Sequence, residues 1–317
     1  MRIAFHGKGG AGKTTSTALF VRFLGLRHPF VLAVDADLNA HLQEALQMEG
    51  EALYLGMCFD DICTYLAGQR QDLAGRPMIC TTPPAYGSNF VRVRRDDPFI
   101  RKYALTAGNI ALLTVGKYSP ADVATTCYHE KLKSVMGAFH HMLDGPGDLV
   151  VVDTIAGTDN IATSLSFAFD LNVFVVEPSA KSLKVFRDYL DLVPEYADKL
   201  FVIANKVQDS SDEAFVRKHV PSESYLGALP FFENQKRLEQ GDYAARSRLD
   251  EDLVDCSVFH ELEARLLSGK RDWTAYLDRL RSTYRLDCQR WYSEFLHCDL
   301  EAGLDNNFSY EVALMGR

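Results

Sequence analysis

The chain has 317 residues, of which 47% are hydrophobic and 24% charged, an ordinary composition for a globular protein with a large core. Its formal net charge is −9, from 34 lysines and arginines against 43 aspartates and glutamates. An acidic chain gains no long-range attraction to DNA or anionic lipid, so neither nucleic acid nor a membrane is expected as a partner. The seven cysteines form no C-x-x-C pair and no stretch resembles a signal peptide or membrane span, which predicts a cytoplasmic protein with reduced thiols.

Short apolar segments alternate with helix-length amphipathic segments through the first three-quarters of the chain. Near-continuous hydrophobicity is what strands buried on both faces of a parallel sheet require. The predicted strands are Ile3–His6, Val31–Asp35, Ile110–Val115, Leu149–Asp153, Val173–Val176, Phe201–Asn205 and Tyr225–Leu229. Right-handed crossovers between them predict an α/β fold, with a doubly wound, mostly parallel sheet and helices on both faces. Ligands of such sheets bind at the carboxyl ends of the strands.

Two segments depart from this pattern. The segment Thr81–Tyr103 contains Pro83-Pro84 and a basic run from Arg92 to Lys102, and we predict a long loop or short helices over the sheet edge. From about Arg246 onward the strand signal disappears and apolar residues recur at helical spacing. We therefore predict an α/β nucleotide-binding domain over residues 1–245 and a helical C-terminal extension over residues 246–317.

The first predicted strand leads into Gly7-Lys8-Gly9-Gly10-Ala11-Gly12-Lys13-Thr14, which fits two nucleotide-binding patterns. As G-x-G-x-x-G it would be a dinucleotide fingerprint, and as G-x-x-x-x-G-K-T it is a Walker A loop, or P-loop. Lys13-Thr14 favours the P-loop, because a lysine for the β- and γ-phosphates and a hydroxyl for Mg²⁺ serve a nucleoside triphosphate. The predicted nucleotide ligands in the loop are Gly9, Gly10, Ala11, Gly12, Lys13, Thr14 and Thr15.

Acidic residues follow two of the buried strands. Asp153 ends the run Leu149–Asp153 in the Walker B arrangement, so we predict that it lies near Mg²⁺ with Thr14 and Asp37. Asp35 and Asp37 follow the second strand, and we predict that Asp37 rather than Asp35 positions the attacking water. The alternative is that both carboxylates only cap the helix that follows.

Asn205-Lys206 ends another buried strand and is predicted to bind the base of ATP. A side-chain amide can both donate to and accept from a purine edge, while the lysine stem covers the base. Pro230 is predicted to close the base pocket, with packing in the core as an equal alternative. The run Asn205-Lys206-Val207-Gln208 lacks the acidic residue of a guanine-reading N-K-x-D, which favours adenine.

At Lys8 the loop departs from an ordinary Walker A sequence. Residues 8–15 resemble the K-G-G-x-G-K-T-T signature, a deviant Walker A, of the group containing MinD/ParA, the nitrogenase iron protein and ArsA. This resemblance implies that Lys8 reaches the phosphates held by a partner subunit, so that ATP closes a homodimer. Lys8, Lys13 and Asp37 would then be the catalytic residues, with ATP and Mg²⁺ as cofactors.

Several further motifs are most similar to the CooC-type ATPases, which assist nickel insertion into carbon monoxide dehydrogenase. They are Asp35-Ala36-Asp37, Asp153-x-x-Ala156-Gly157, Val176-Glu177-Pro178-Ser179 and Asn205-Lys206, and the likeness covers about residues 1–241. CooC-type proteins carry a metal-binding C-x-C pair between two subunits, whereas the corresponding stretch here is Thr125-Thr126-Cys127-Tyr128-His129, without C-x-C.

Cys127 and His129 form a second metal hypothesis. Two such pairs across a twofold axis would make a Cys₂His₂ set suited to zinc or nickel. The alternative, which we favour, is a buried cysteine beside a solvated histidine. His140-His141, near the end of the same predicted helix, is expected at the surface.

Three functions are compatible with these residues. The first is a slow ATPase, stimulated by dimerisation or by a partner, that assists or matures an unknown client protein, with metallocentre assembly implied by the CooC likeness. The second is a ParA/MinD-like positioning ATPase, whose DNA binding would depend on the basic run Arg92–Lys102. The third is a P-loop kinase or ligase acting on a small molecule, although the sequence marks no acceptor site.

Overall fold

The computed structural model describes residues 1–73, 77–118, 120–122, 128–292 and 304–316. Its strands are β1 (Arg2–Gly7), β2 (Val31–Asp35), β3 (Val91–Arg92), β4 (Leu105–Ala107), β5 (Ile110–Thr114), β6 (Met142–Leu143), β7 (Val150–Asp153), β8 (Leu171–Val176), β9 (Leu200–Ala204) and β10 (Tyr225–Ala228).

The α-helices are α1 (Lys13–Arg27), α2 (Leu42–Leu46), α3 (Phe59–Ala67), α4 (Pro98–Tyr103), α5 (Tyr128–His140), α6 (Ala180–Leu192), α7 (Ser210–His219), α8 (Glu233–Glu239), α9 (Arg246–Val254), α10 (Ser257–Ser268), α11 (Trp273–Asp287) and α12 (Tyr310–Met315). Among the described residues, none of these helices combines the length and the apolar character needed to cross a membrane.

The main sheet has the strand order β10-β9-β8-β1-β7-β2-β5-β4, and β3 pairs with β6 in a separate small sheet. Neighbouring strands of the main sheet are parallel except for β4, which runs antiparallel to β5 at the edge. All seven predicted strands are present, and the doubly wound, mostly parallel fold is confirmed. β4 was not predicted, because a three-residue edge strand with two exposed side chains carries almost no apolar signal.

Alternate side chains of the central strands enter two different cores. Ile3 and Phe5 of β1 pack on one face, against α1, α9 and α10, whereas Ala4 faces α3, α5 and α11 on the other. This two-sided burial explains the near-continuous hydrophobicity of the strands. Fully burying one large apolar side chain contributes about 1.5–3 kcal/mol, so both layers of helices are firmly held.

The segment Thr81–Tyr103 folds into loops and one short helix, as predicted, together with β3. Its buried side chains, among them Phe99 and Tyr103, pack in the core on the face of the sheet that α3 and α5 cover. α4 begins where the Asp97 side chain accepts hydrogen bonds from the backbone N–H groups of Phe99 and Ile100, and Pro98 fits the first helical turn.

The C-terminal extension is helical through most of its described part. Phe259 of α10 packs against Phe20 and Phe23 of α1, while Tyr276 of α11 and Tyr310 of α12 are buried on the opposite face of the sheet. The extension therefore shares both cores with the sheet. The division of the chain between residues 245 and 246 stays a prediction.

His140 and His141 are fully buried, so the expectation that they lie at the surface was wrong. His140 hydrogen-bonds through Nδ1 with the Tyr276 hydroxyl and through Nε2 with the Ser164 hydroxyl. Burial holds the pKa of His140 well below its usual value, so the ring is neutral at physiological pH. The helices of the extension cover this end of α5 and remove it from solvent.

Candidate nucleotide-binding site

The glycine-rich loop joins β1 to α1 and ends at the N-terminus of that helix. Gly10 and Gly12 have φ angles of +83° and +92°, a conformation that side chains rarely adopt. A Cβ atom on Gly12 would also lie 2.2 Å from Nδ2 of Asn205. The loop can therefore keep this path only with glycine at position 12. Free backbone N–H groups at a helix N-terminus bind phosphate well. The helix α1 begins at Lys13, the residue predicted to bind the phosphates.

Lys13 lies among carboxylates at the mouth of this loop. Its Nζ is 2.8 Å from Oδ1 of Asp153 and 3.7 Å from Oδ2 of Asp37. The Thr14 hydroxyl donates to the other oxygen of Asp153 at 2.6 Å. Burial raises the pKa of Asp153, while Lys13 opposes that rise by stabilising the charged form. The structure thus brings Asp37 and Asp153, which are distant in sequence, next to Lys13 and Thr14.

Asp35 and Asp37 have different surroundings, although both follow β2. Asp35 is fully buried and accepts hydrogen bonds from the backbone N–H groups of Leu42, at the start of α2, and of Asp37. Asp37 accepts hydrogen bonds from Asn39 and directs Oδ2 toward Lys13. The helix-start role therefore belongs to Asp35, whereas Asp37 lies beside Lys13, the lysine predicted to bind phosphate. That Asp37 positions water stays a prediction.

A cleft of about 770 Å³ opens beside the loop. Residues that the sequence had connected with the nucleotide line it, and these are Gly12, Thr15, Asn205, Lys206, Val207, Gln208, Pro230, Phe231 and Phe232. The lining residues that the sequence did not single out are Ser16, Leu19, Leu229, Gln235, Lys236 and Glu239. Its volume falls within the range of small-molecule sites. Gln235 and Glu239 belong to α8, which begins shortly after β10 ends. This closeness to the end of a strand was the signal that could have marked them.

Asn205 also fixes the shape of the loop. Its Nδ2 donates to the Ala11 carbonyl at 2.9 Å, and Lys206 Nζ donates to the Gly10 carbonyl at 2.5 Å. Lys206 itself has a φ of +59°, which turns the chain away from β9 toward the cleft. The segment predicted to bind the base therefore also holds the backbone that would bind the phosphates.

Lys8 points toward a residue whose role the sequence did not reveal. Its Nζ lies 2.9 Å from Oε1 of Glu177, just beyond the end of β8. The Val176–Ser179 motif could have marked Glu177, but only the register of β1 and β8 shows that it lies beside Lys8.

Cys127 of the second metal hypothesis lies outside the described residues, and His129 is exposed at the start of α5. Within the part of the chain that the structure describes, no group of three or more histidine, cysteine, aspartate or glutamate side chains is arranged to hold a metal ion. The Cys127–His129 hypothesis stays untested by this structure.

The parallel sheet, the loop at the N-terminus of α1 and the cluster around Lys13 define a P-loop nucleotide-binding protein. A family model described as the CobQ/CobB/MinD/ParA nucleotide-binding domain matches residues 3–241, and the chain belongs to that family.

Two relatives match over most of their length. The carbon monoxide dehydrogenase accessory protein CooC of Rhodospirillum rubrum is 28% identical over 268 residues, which cover 84% of this chain and 96% of that protein. An uncharacterized ATP-binding protein of Methanocaldococcus jannaschii is 28% identical over 236 residues, 74% of this chain and 86% of that protein.

Solved structures share the fold at low identity. A ParA family ATPase from Chlorobium tepidum superposes with a TM-score of 0.54 at 17% identity, covering 80% of this chain and 97% of that one. The septum site-determining protein MinD of Pyrococcus horikoshii, complexed with Mg-ADP, gives 0.53 at 19% identity and covers 83% and 95%.

Proposed function

We propose that this protein is an ATP-hydrolysing dimerisation switch that assists or matures a client protein, and that the client process is metallocentre assembly. The observation that carries the ATPase assignment is the position of Lys13, 2.8 Å from Asp153 and 3.7 Å from Asp37 at the mouth of the glycine-rich loop. ATP hydrolysis requires a cation that binds phosphate, a hydroxyl and carboxylates for the metal ion and the attacking water. Lys13, Thr14, Asp37 and Asp153 supply these groups beside a cleft of about 770 Å³.

The donor set at this site fits Mg²⁺, because the Thr14 hydroxyl and the Asp37 and Asp153 carboxylates are all hard oxygen ligands. Bound there, Mg²⁺ would neutralise charge on the phosphate oxygens. Lys13 would exchange its carboxylate partners for phosphate oxygens when ATP enters. Asp37 would accept a hydrogen bond from the attacking water and orient it toward the γ-phosphate.

The cleft beside the loop is proposed to hold the adenine. Asn205 lies at the boundary between cleft and loop. Its side chain would therefore hydrogen-bond to the base while it holds the loop backbone through the Ala11 carbonyl. Lys8 is proposed as the intersubunit lysine, which would place a second cation on the nucleotide of the facing subunit. Catalytic geometry then forms only on assembly, which makes turnover by the monomer slow.

The client assignment is supported by the CooC relative, which is an accessory protein of a metalloenzyme and matches over 96% of its own length. The extension, residues 246–317, lies outside the family match, which ends at residue 241, and it supplies surface that the nucleotide site does not need. We therefore propose the extension as part of the client-binding surface.

Binding to DNA finds less support. Within the basic segment Arg92–Lys102, Lys102 pairs with Asp61 at 2.6 Å, Arg94 pairs with Asp96 at 3.2 Å, and Arg95 donates to the Gly108 carbonyl. Lys102 and Arg94 are each paired with a carboxylate, which weakens their attraction for a phosphate backbone, whereas Arg95 keeps its charge.

Titration calorimetry with MgATP tests the assignment. Wild type should bind ATP, and Lys13→Ala should weaken binding by roughly ten- to a hundredfold, because one charge-assisted hydrogen bond to phosphate is lost. Sedimentation with ATP should show a wild-type dimer that Lys8→Ala, still binding ATP, fails to form. Absence of ATP binding by folded wild type would refute the proposal, and an ATP-dependent dimer of Lys8→Ala would remove the intersubunit role.

A further inference from the structure

Glu177 and Lys8 are neighbours because of strand register. β1 and β8 pair in parallel with Gly7 opposite Val175, so the residues that follow each strand leave the sheet side by side. Lys8 begins the glycine-rich loop, whereas Glu177 begins the turn that leads into α6. The register of the sheet therefore places the backbones of these two residues side by side, within reach of an ion pair between their side chains.

The Glu177 carboxylate lies between two cations. Its Oε1 is 2.9 Å from Lys8 Nζ and accepts a hydrogen bond from the Ser179 hydroxyl at 3.4 Å. Its other oxygen, Oε2, is 3.9 Å from Nζ of Lys206. Mainly through the hydrogen bond from Lys8, the pKa of Glu177 is held below its usual value, so the carboxylate is ionised at neutral pH.

An ammonium that is already paired with a carboxylate presents little net charge to a second nucleotide. An approaching triphosphate would meet the negative Glu177 as well as the positive Lys8, and like charges at short range oppose contact. Lys8 can serve a partner subunit only after it leaves Glu177. The released carboxylate has a second cation within reach, since Lys206 already lies at its other oxygen.

We propose that Glu177 is an intramolecular latch that holds Lys8 within its own subunit and transfers to Lys206 when two ATP-bound subunits meet. The inference rests on the proposed dimerisation. It names the residue that sets the protein concentration at which dimers form. Glu177 is a positioning residue that acts through Lys8. The side chains of Lys8 and Glu177 are 34% and 24% exposed, so the latch is weak enough to open reversibly.

Glu177→Gln tests the latch, because it keeps the shape of the side chain and removes the charge. The protein concentration at half-dimerisation is measured by sedimentation at saturating ATP with Mg²⁺. It should be roughly two- to thirtyfold lower for Glu177→Gln than for wild type, because forming a wild-type dimer breaks two partly exposed ion pairs. Glu195→Gln is the matched control, because Glu195 pairs with Arg279 away from the site at the same 2.9 Å. It should leave the midpoint unchanged. A Glu177→Gln midpoint equal to or above that of wild type would overturn the latch.

Amine labelling of the nucleotide-free protein, followed by mass spectrometry, gives a readout that is independent of dimerisation. Lys8 should react faster in Glu177→Gln than in wild type, while Lys184, which pairs with Asp188 on α6, should react equally in both. Equal labelling of Lys8 would refute the latch. If wild type binds ATP without dimerising, the proposed function fails, whereas labelling still reports whether Glu177 restrains Lys8.

Discussion

Arg271 binds Asp144 through two parallel hydrogen bonds, each 2.8 Å long, from Nη1 and Nη2 to the two carboxylate oxygens. Arg271 connects α10 to α11 in the C-terminal extension, and Asp144 follows β6. The same guanidinium also binds Asp170, just before β8, and Asp144 binds Arg2 as well. Although burial raises the pKa of Asp144, these two guanidinium groups hold it far below its usual range. One buried ionic cluster therefore joins the extension to the nucleotide-binding core.

Arg271→Ala should destabilise the whole protein. Asp170 would lose its cation while remaining buried, and breaking a buried ion pair in this way costs about 3 kcal/mol or more. Asp144 would keep Arg2, which limits the loss. Urea unfolding monitored by circular dichroism measures the change in the free energy of unfolding.

Lys184→Ala is a suitable control for Arg271→Ala, because its pair with Asp188 is exposed on α6 and should contribute little. Equal stabilities of the two variants would show that the cluster does not hold the extension. Selective loss of the extension, with the core still folded, would show that it unfolds separately.

Much of the fold and of the candidate nucleotide-binding site could be predicted from sequence. Strands buried on both faces need near-continuous apolar runs, and the P-loop spacing fixes where Lys13 lies relative to the first strand. Because parallel strands place their carboxyl ends at one sheet edge, Asp37 and Asp153 were expected near Lys13, and they lie there.

Contacts between distant segments could not be predicted in the same way. His140 ends the amphipathic helix α5 and gave no sign of burial, because Tyr276 and Tyr310, which contact it, lie more than 130 positions later. The Lys8–Glu177 pair depends on the register of β1 and β8, which apolar patterns leave undetermined. Sequence patterns indicate which face of an element is buried, but not which segment buries it.

Gln208 should contribute to the choice between adenine and guanine nucleotides. Gln208→Asp completes the N-K-x-D pattern at the cleft, and a carboxylate there can accept hydrogen bonds from N1–H and N2–H₂ of guanine. Adenine has an acceptor at N1, which the carboxylate of Gln208→Asp would repel. We expect the ratio of ATP to GTP affinity to fall by roughly tenfold or more.

Gln208→Asn controls for side-chain length in this experiment, because it has the size of aspartate without the charge. Competition binding with a fluorescent ATP analogue measures both ratios. Should Gln208→Asp and Gln208→Asn show the same preference, residue 208 does not read the base.

Asp37→Ala should retain ATP binding and lose hydrolysis. Positioning of the attacking water by a carboxylate contributes roughly a hundred- to ten-thousandfold to the rate, so phosphate release should fall by that order. The variant should accumulate as an ATP-bound dimer in sedimentation, and it would serve to capture the client. A rate close to that of wild type would exclude Asp37 as the water-positioning residue.

A comparison with and without Mg²⁺ separates the two roles predicted for Asp37. If Asp37 mainly binds the metal ion, Asp37→Ala should lower ATP affinity only when Mg²⁺ is present. If it orients water, affinity should be unchanged under both conditions. Titration calorimetry distinguishes these outcomes.

Asp35 should make the stability of the nucleotide-free protein depend on pH. Burial, followed by the nearby charge of Asp153, raises the pKa of Asp35 to about 7, against 3.8 for an ordinary aspartate. Between these two values the folded protein retains a proton that the unfolded chain has released. The contribution of Asp35 to stability is therefore fully present below pH 4 and is lost as pH rises toward 7, with a slope of at most about 1.4 kcal/mol per pH unit.

Asp35→Asn removes this titration while it keeps an oxygen that can accept the Leu42 N–H hydrogen bond. Other buried groups titrate too, including His6, whose burial lowers its pKa to about 3, so the informative quantity is the difference between variant and wild type. The free energy of unfolding of Asp35→Asn relative to wild type should rise from pH 4 to pH 7 and level off above pH 7. A difference that stays constant over this range would show that the Asp35 carboxyl is already ionised when buried, which would contradict the prediction.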